Sequence, residues 1–266
     1  MKIFISADME GVTGISRWED VRVGSDTYQR SAERMSQELL AACEGASEAG
    51  AEEILIRDGH GSARNINPMI FPANVTIFEG WGGHPYSMLE GIDNTFNAVF
   101  YLGYHSPAGT DANPLAHTIS SKKICQIKVN NLLVSEFYLN QLIALSEGVP
   151  SAFLSGDQGI CNEARRIYPE IVTVAAMEGS GYASRIFSAE KTLASIRTGA
   201  QKAVEQLTHI HLPALPDRFE VDVEYLYHFD AYNASFYPGV QKVSAKSVHF
   251  ESQTVLDLMT TLKFII

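Results

Sequence analysis

The chain opens on KIFISA, Lys2 to Ala7, an apolar run that stops at the acidic residues Asp8 and Glu10. Apolar runs and helical-period segments then alternate for two-thirds of the chain. TYQRSAERMSQELLAACEGASEAG carries Met35, Leu39, Leu40, Cys43 and Ala46 at helical spacing and can terminate at Gly50. EEILIR, NVTIFEG, NAVFYLGYH, SAFLSGD and EIVTVAA read as further strands, with a short helix expected around residues 86–92. ICQIKVNNLLVSE reads as two strands turning at Asn130 and Asn131. SEFYLNQLIALSEG, QGICNEARRIYP and SAEKTLASIRTGAQKAVEQL read as helices. This alternation predicts an α/β fold with a mostly parallel sheet covered by helices.

Pro213 and Pro216 mark a break. Beyond it, RFEVDVEYLY alternates, with Phe219, Val221, Val223, Tyr225 and Tyr227 expected to face one way. KSVHFES and a last helix, TVLDLMTTLKFI, follow. The expected organisation is an α/β domain over residues 1–208 and a small α+β C-terminal subdomain over 209–266.

In open α/β sheets, ligands bind beyond the carboxyl ends of the strands. Asp8 and Glu10 follow the first strand there, and His60 follows the second, between Gly59 and Gly61. His105 ends the NAVFYLGYH strand, His117 lies in the polar stretch after it, and Glu136 opens a helix. Each residue has an ordinary reading: a turn cap for Asp8 and Glu10, a turn residue for His60, a core histidine for His105, helix-dipole compensation for Glu136. Together they offer the mixed nitrogen and oxygen ligands of zinc or another divalent ion. A dication would also relieve the repulsion between Asp8 and Glu10. His117 then reads as a general acid, base or oxyanion stabiliser, and otherwise as a histidine bonding its own loop. His84 reads first as an ordinary loop histidine, with a pocket-wall residue as the alternative, and the HxH pair His209 and His211 reads as surface residues in preference to a metal site.

Composition changes the picture by exclusion. The chain has 266 residues, 45% hydrophobic and 19% charged, enough for a large core. A net charge of -11 with no basic run argues against nucleic-acid binding. No apolar run approaches the ~20 residues of a membrane helix, and no signal-peptide pattern precedes the first strand, so a cytoplasmic protein is expected. Cys43, Cys125 and Cys161 form no CxxC pair. DGHGSAR has Arg64 where a dinucleotide fingerprint needs its third glycine, and Walker A, HExxH and GxSxG motifs are absent.

SADMEG resembles the SxDxEG signature of the zinc-dependent D-aminopeptidases of the DppA family. The likeness continues through RDGHGSARNI, LGYHSPAG, AHTIS and VNNLLVSEFYLNQLIALSEGVPSAFLSGDQ to the long helix after Ala189, about residues 1–207. The resemblance implies a hydrolase that removes the N-terminal residue, such as D-alanine, from short peptides. It implies two zinc ions held by Asp8, Glu10, His60, His105 and Glu136, with Asp8 bridging, and His117 as the catalytic histidine. It further implies a homo-oligomer, a ring-shaped decamer. Three positions depart from the family pattern: Asn131 and Ser135 stand where glycines are usual, and Met177 where a lysine is frequent. Carboxylate-rich two-metal sites also act on phosphoesters or cyclic amides, and a metal- or peptide-binding protein without turnover is a further alternative.

Overall fold

The computed structural model describes all 266 residues. The chain runs β1 (Lys2–Ala7), α1 (Tyr28–Glu48), β2 (Glu53–Asp58), β3 (Val75–Phe78), β4 (Ala98–Tyr104), β5 (Ile124–Val129), β6 (Leu132–Leu133) and α2 (Glu136–Ser146). It continues through β7 (Ser151–Asp157), α3 (Gln158–Ile167), β8 (Val172–Ser180), β9 (Ala183–Ile186) and α4 (Ala189–Glu205). The last elements are β10 (Phe219–Tyr225), α5 (His228–Ala234), β11 (Gln241–Lys242), β12 (Ser247–Ser252) and α6 (Val255–Ile265).

Seven strands form one sheet in the order β3-β2-β1-β4-β7-β8-β9, all parallel except β9. β1 lies inside it, paired with β2 and β4, so that Ala7 stands level with Asp58 and Leu102. Its alternation separates two cores. Ile3, Ile5 and Ala7 pack with Met35 and Leu39 of α1 and Ile196 and Ala200 of α4. Phe4 faces the other way, into a core shared with α2, α3, α6 and a second sheet. A strand covered on both faces is largely apolar, and the buried Ser6 of β1 is satisfied by Met88 O (2.9 Å) and the Tyr104 hydroxyl (2.6 Å).

The second sheet has the order β11-β12-β10-β5-β6 and is antiparallel. The hairpin β5–β6 pairs there with β10 and takes no part in the large sheet. Strands from both sides of the proline break at 213–216 therefore share one sheet and one core. The alternation of β10 buries Phe219, Val221, Val223 and Tyr225 as expected, but Tyr227 is exposed. The strand has ended at Tyr225, and Tyr227 caps α5, a short helix that the sequence pattern did not suggest. The helix expected near 86–92 is one 3-10 turn, Ser87–Leu89. His209 and His211 are exposed after α4, as expected. No helix is long and apolar enough to cross a membrane.

One buried charge in α1 has a consequence for stability. Glu38 accepts the Thr13 amide at 2.9 Å through Oε1, while its Oε2 has no hydrogen-bond partner. Burial pushes its carboxyl up to about 7, against the Thr13 hydrogen bonds and the charge of Arg34. Between the ordinary value of 4.5 and about 7, the folded chain holds a proton that the unfolded chain has lost. Stability therefore falls as pH rises through that window, by about 3 kcal/mol in full. Glu38→Gln keeps the acceptor for Thr13 and removes the titration. It should raise the thermal unfolding midpoint at pH 8 and change it little at pH 4; an equal effect at both pH values contradicts this account.

Candidate metal centre

At the carboxyl edge of the large sheet, the ends of β1 and β4 are tied together by backbone. The Asp8 amide donates to Leu102 O at 2.8 Å and the Gly11 amide to Gly103 O at 2.8 Å. These contacts need glycine. A Cβ on Gly11 would lie 1.9 Å from Tyr104 O, and one on Gly103, whose φ is +72°, would lie 2.1 Å from Asp8 O. β1 itself ends at Ala7, so Asp8 and Glu10 do not share a side by strand alternation. The bend over residues 8–11 brings them together instead.

The loops that carry the histidines are held from below by two buried aspartates. Asp58, last in β2, accepts the amides of His60 (3.3 Å) and Asn65 (2.6 Å) and the Asn65 side chain (2.8 Å). Asn65 also donates to His60 O at 2.8 Å, which closes the DGHGSARN loop. Asp157, last in β7, accepts the Ser106 amide (2.7 Å) and hydroxyl (2.6 Å) and caps α3 through the Ile160 amide (2.8 Å). Asn113 donates to both Asp157 (3.0 Å) and Glu10 O (3.2 Å). Asp58 is visible in the sequence as a residue at the end of the second strand, whereas Asp157 and Asn113 do not stand out there. The available signal was an aspartate at a strand end directly before a helix, in SGDQ.

Six side chains meet above this base, in two groups whose ligand atoms lie within 4.8 Å of one another: Asp8, Glu10 and His60, and His105, His117 and Glu136. These are all the residues singled out from the sequence. Asp8 joins the groups, with Oδ1 3.4 Å from His60 Nδ1 and Oδ2 3.3 Å from His105 Nε2. Glu10 Oε2 is 3.0 Å from His60 Nδ1. Glu136 Oε1 lies 3.8 Å from His105 Nε2 and 3.7 Å from His117 Nε2, and accepts the Ile119 amide at 2.7 Å. His117 stands beside Glu136 and stacks on the His105 ring, centroids 4.2 Å apart and 7° from parallel.

The far nitrogen of each histidine faces a backbone carbonyl: His60 Nε2 to Val21 O (2.9 Å), His105 Nδ1 to Ser106 O (3.0 Å), His117 Nδ1 to Leu115 O (2.8 Å). A carbonyl can only accept, so these nitrogens carry the protons. The opposite nitrogens point at the carboxylates, and each would offer its lone pair to a cation held between them, the arrangement by which proteins orient metal-binding histidines. Asp8 Oδ2 and His105 Nε2 are buried without a hydrogen-bond partner despite their proximity, because their geometry does not allow one. Such orphaned atoms are costly in a protein interior. A cation between them satisfies both, and the mixed nitrogen and oxygen donor set suits zinc.

The site's electrostatics agree with a need for positive charge. Burial pushes the Asp8 carboxyl up, but the close imidazoles of His105 and His60 outweigh it and hold the carboxyl well below its usual range. Burial pulls His60 and His105 down, while the surrounding carboxylates Glu10, Asp8 and Glu136 raise both well above the usual histidine value. Burial raises Glu136, only partly offset by His105 and His117.

Two departures from the expected pattern find local causes. Asn130 and Asn131 both have positive φ, 49° and 65°, the conformation of a two-residue hairpin turn that asparagine tolerates. Asn130 Oδ1 accepts the Glu220 amide at 2.8 Å, which ties the turn to β10. Ser135 caps α2 through the Tyr138 amide (3.0 Å) and donates to Glu163 (2.6 Å), fixing the helix start that carries Glu136. Met177 is buried in β8, and nothing in the structure explains its choice.

The centre opens into a cleft of about 690 Å³ walled by Trp18, Arg22, Trp81 and Lys122. The fold and centre have counterparts in known proteins. The chain is 27% identical over 259 residues to the D-aminopeptidase of Bacillus subtilis (strain 168), covering 97% of this chain and 93% of that one. The solved structure of the Zn-dependent D-aminopeptidase DppA from Bacillus subtilis, described as a self-compartmentalizing protease, superposes with a TM-score of 0.93 at 25% identity, covering 100% of this chain and 96% of that one. The sequence profile of the D-aminopeptidase family matches residues 1–264, and with a match of that extent the chain belongs to this family of peptidases.

Proposed function

We propose that this protein is a zinc-dependent D-aminopeptidase that removes the N-terminal D-residue from short peptides in the cytoplasm. One observation carries the reading: the two oxygens of Asp8 face two separate ligand groups. Two divalent ions would then be held by Asp8 together with Glu10 and His60 on one side and His105 and Glu136 on the other. When bound, such a pair lowers the pKa of water toward neutrality and polarises a peptide carbonyl. His117 keeps its Nδ1 proton on Leu115 O, so Nε2 is the atom that takes a proton and returns it to the leaving amine. Stacking on His105 and the edge contact with Trp18 fix that ring in place. All six residues lie within 1–208, and 209–266 builds an accessory unit together with β5 and β6 of the second sheet. The description of the Bacillus subtilis relative as self-compartmentalizing supports a homo-oligomer, and the ring of ten acting on short peptides follows from the family resemblance alone.

Two measurements test this. Adding zinc to chelator-treated protein should restore cleavage of D-Ala-D-Ala and raise the unfolding midpoint. At a free ion concentration 1,000 times Kd, the gain is about 4 kcal/mol. No bound divalent ion and no cleavage with zinc, cobalt or manganese sinks the proposal. His117→Ala should keep the zinc content and lower kcat by about 10² to 10⁴; loss of zinc instead makes His117 a ligand.

A further inference from the structure

A second cavity, of about 270 Å³, adjoins the cleft of the metal centre. It runs between α2, α6 and the 81–88 segment, and its apolar walls are Met88, Leu139, Met259 and Leu262, all buried, with the exposed His84 and Lys263 also lining it. Glu136 and Ile119 line both the cavity and the cleft, so the cavity adjoins the centre at the Glu136 carboxylate. Trp81 stands between the two, held by its Nε1 hydrogen bond to Gly61 O (2.9 Å) and by the buried Arg57 guanidinium 4.9 Å from its ring.

We infer that this cavity receives the side chain of the substrate's N-terminal residue, and that it selects apolar side chains larger than that of alanine. The inference rests on the aminopeptidase reading and deepens it. Cleavage after the first residue puts the scissile carbonyl at the centre, the first side chain on one flank and the rest of the peptide on the other. The rest of a short peptide ends in a carboxylate, which suits the larger, polar cleft with Arg22 and Lys122. The apolar cavity then falls to the first side chain. A methyl group leaves most of 270 Å³ unfilled and loses the dispersion contacts of the far wall. Leucine, methionine or phenylalanine reaches it. The two methionines in the wall adapt to side chains of different shape.

The test compares D-Ala-Gly, D-Leu-Gly and D-Asp-Gly as substrates of the zinc-loaded enzyme, with Met259→Trp to fill the cavity and Met259→Ala to enlarge it. In the wild type, kcat/KM should favour the leucyl over the alanyl peptide by about tenfold or more, the worth of added methylenes in an apolar pocket, and the aspartyl peptide should be the poorest. Met259→Trp should lower the leucyl-to-alanyl ratio about tenfold, and Met259→Ala should shift preference toward D-Phe-Gly over D-Leu-Gly. A wild type that prefers alanine, or a ratio unmoved in both variants, overturns the inference. Calorimetric titration of D-leucinamide and D-alaninamide provides a readout independent of turnover. Tighter leucinamide binding that is lost in Met259→Trp supports the cavity even if no peptide is cleaved, in which case the aminopeptidase reading fails alone. Equal binding of the two amides overturns the cavity assignment.

Discussion

The Asp8 carboxylate lies between His60 and His105 at the end of a strand buried on both faces, and the rest of the site is arranged around it. Burying a carboxylate costs several kcal/mol unless it is paired. Here Asp8, Glu10 and Glu136 are buried together, and one oxygen of Asp8 has no hydrogen-bond partner. The chain accepts that cost in its most rigid region, where β1 is fixed by β2 and β4 and cannot relax away. A flexible loop would let the acids separate. The sheet edge, clasped through Gly11 and Gly103, does not.

From this constraint the supporting shell follows. The histidines must present lone pairs to a cation shared with the carboxylates, and three backbone carbonyls orient their rings. The loops that carry the rings must in turn be held, which is the work of Asp58 for the His60 loop and of Asp157 for the His105 loop. Asp157 also caps α3 and, through Asn113, reaches the Glu10 backbone, so one carboxylate ties the ends of β4 and β7 to the bend after β1. The same logic reaches substrate selection. α2 carries Glu136 at its first position and Leu139 one turn later, so the helix that serves the centre also walls the apolar cavity.

Much of this was legible in the sequence because it is local. The apolar period of α1, the buried run of β1 and the alternation of β10 each report their own burial. The site residues were legible because each follows a strand and ligands gather where parallel strands end. What escaped depends on contacts distant in sequence. Nothing within ICQIKVNNLL says that β5 pairs with β10, some ninety residues away, and not with the large sheet. Asp157 reads as a helix cap, and only the fold reveals its bonds to Ser106 and Asn113. Tyr227 continued an alternation that the chain abandons two residues earlier. The meeting of Asp8 and Glu10 was inferred from strand geometry and comes about through a bend made possible by Gly11.

The central claim is that Asp8 is shared by two metal ions. Anomalous scattering at the zinc absorption edge from crystals of the zinc-loaded protein tests it most directly. The account predicts two peaks per chain, one on the His60 side of the Asp8 carboxylate and one on the His105 side, each within bonding distance of an Asp8 oxygen. A single peak, or two peaks neither of which touches Asp8, contradicts it.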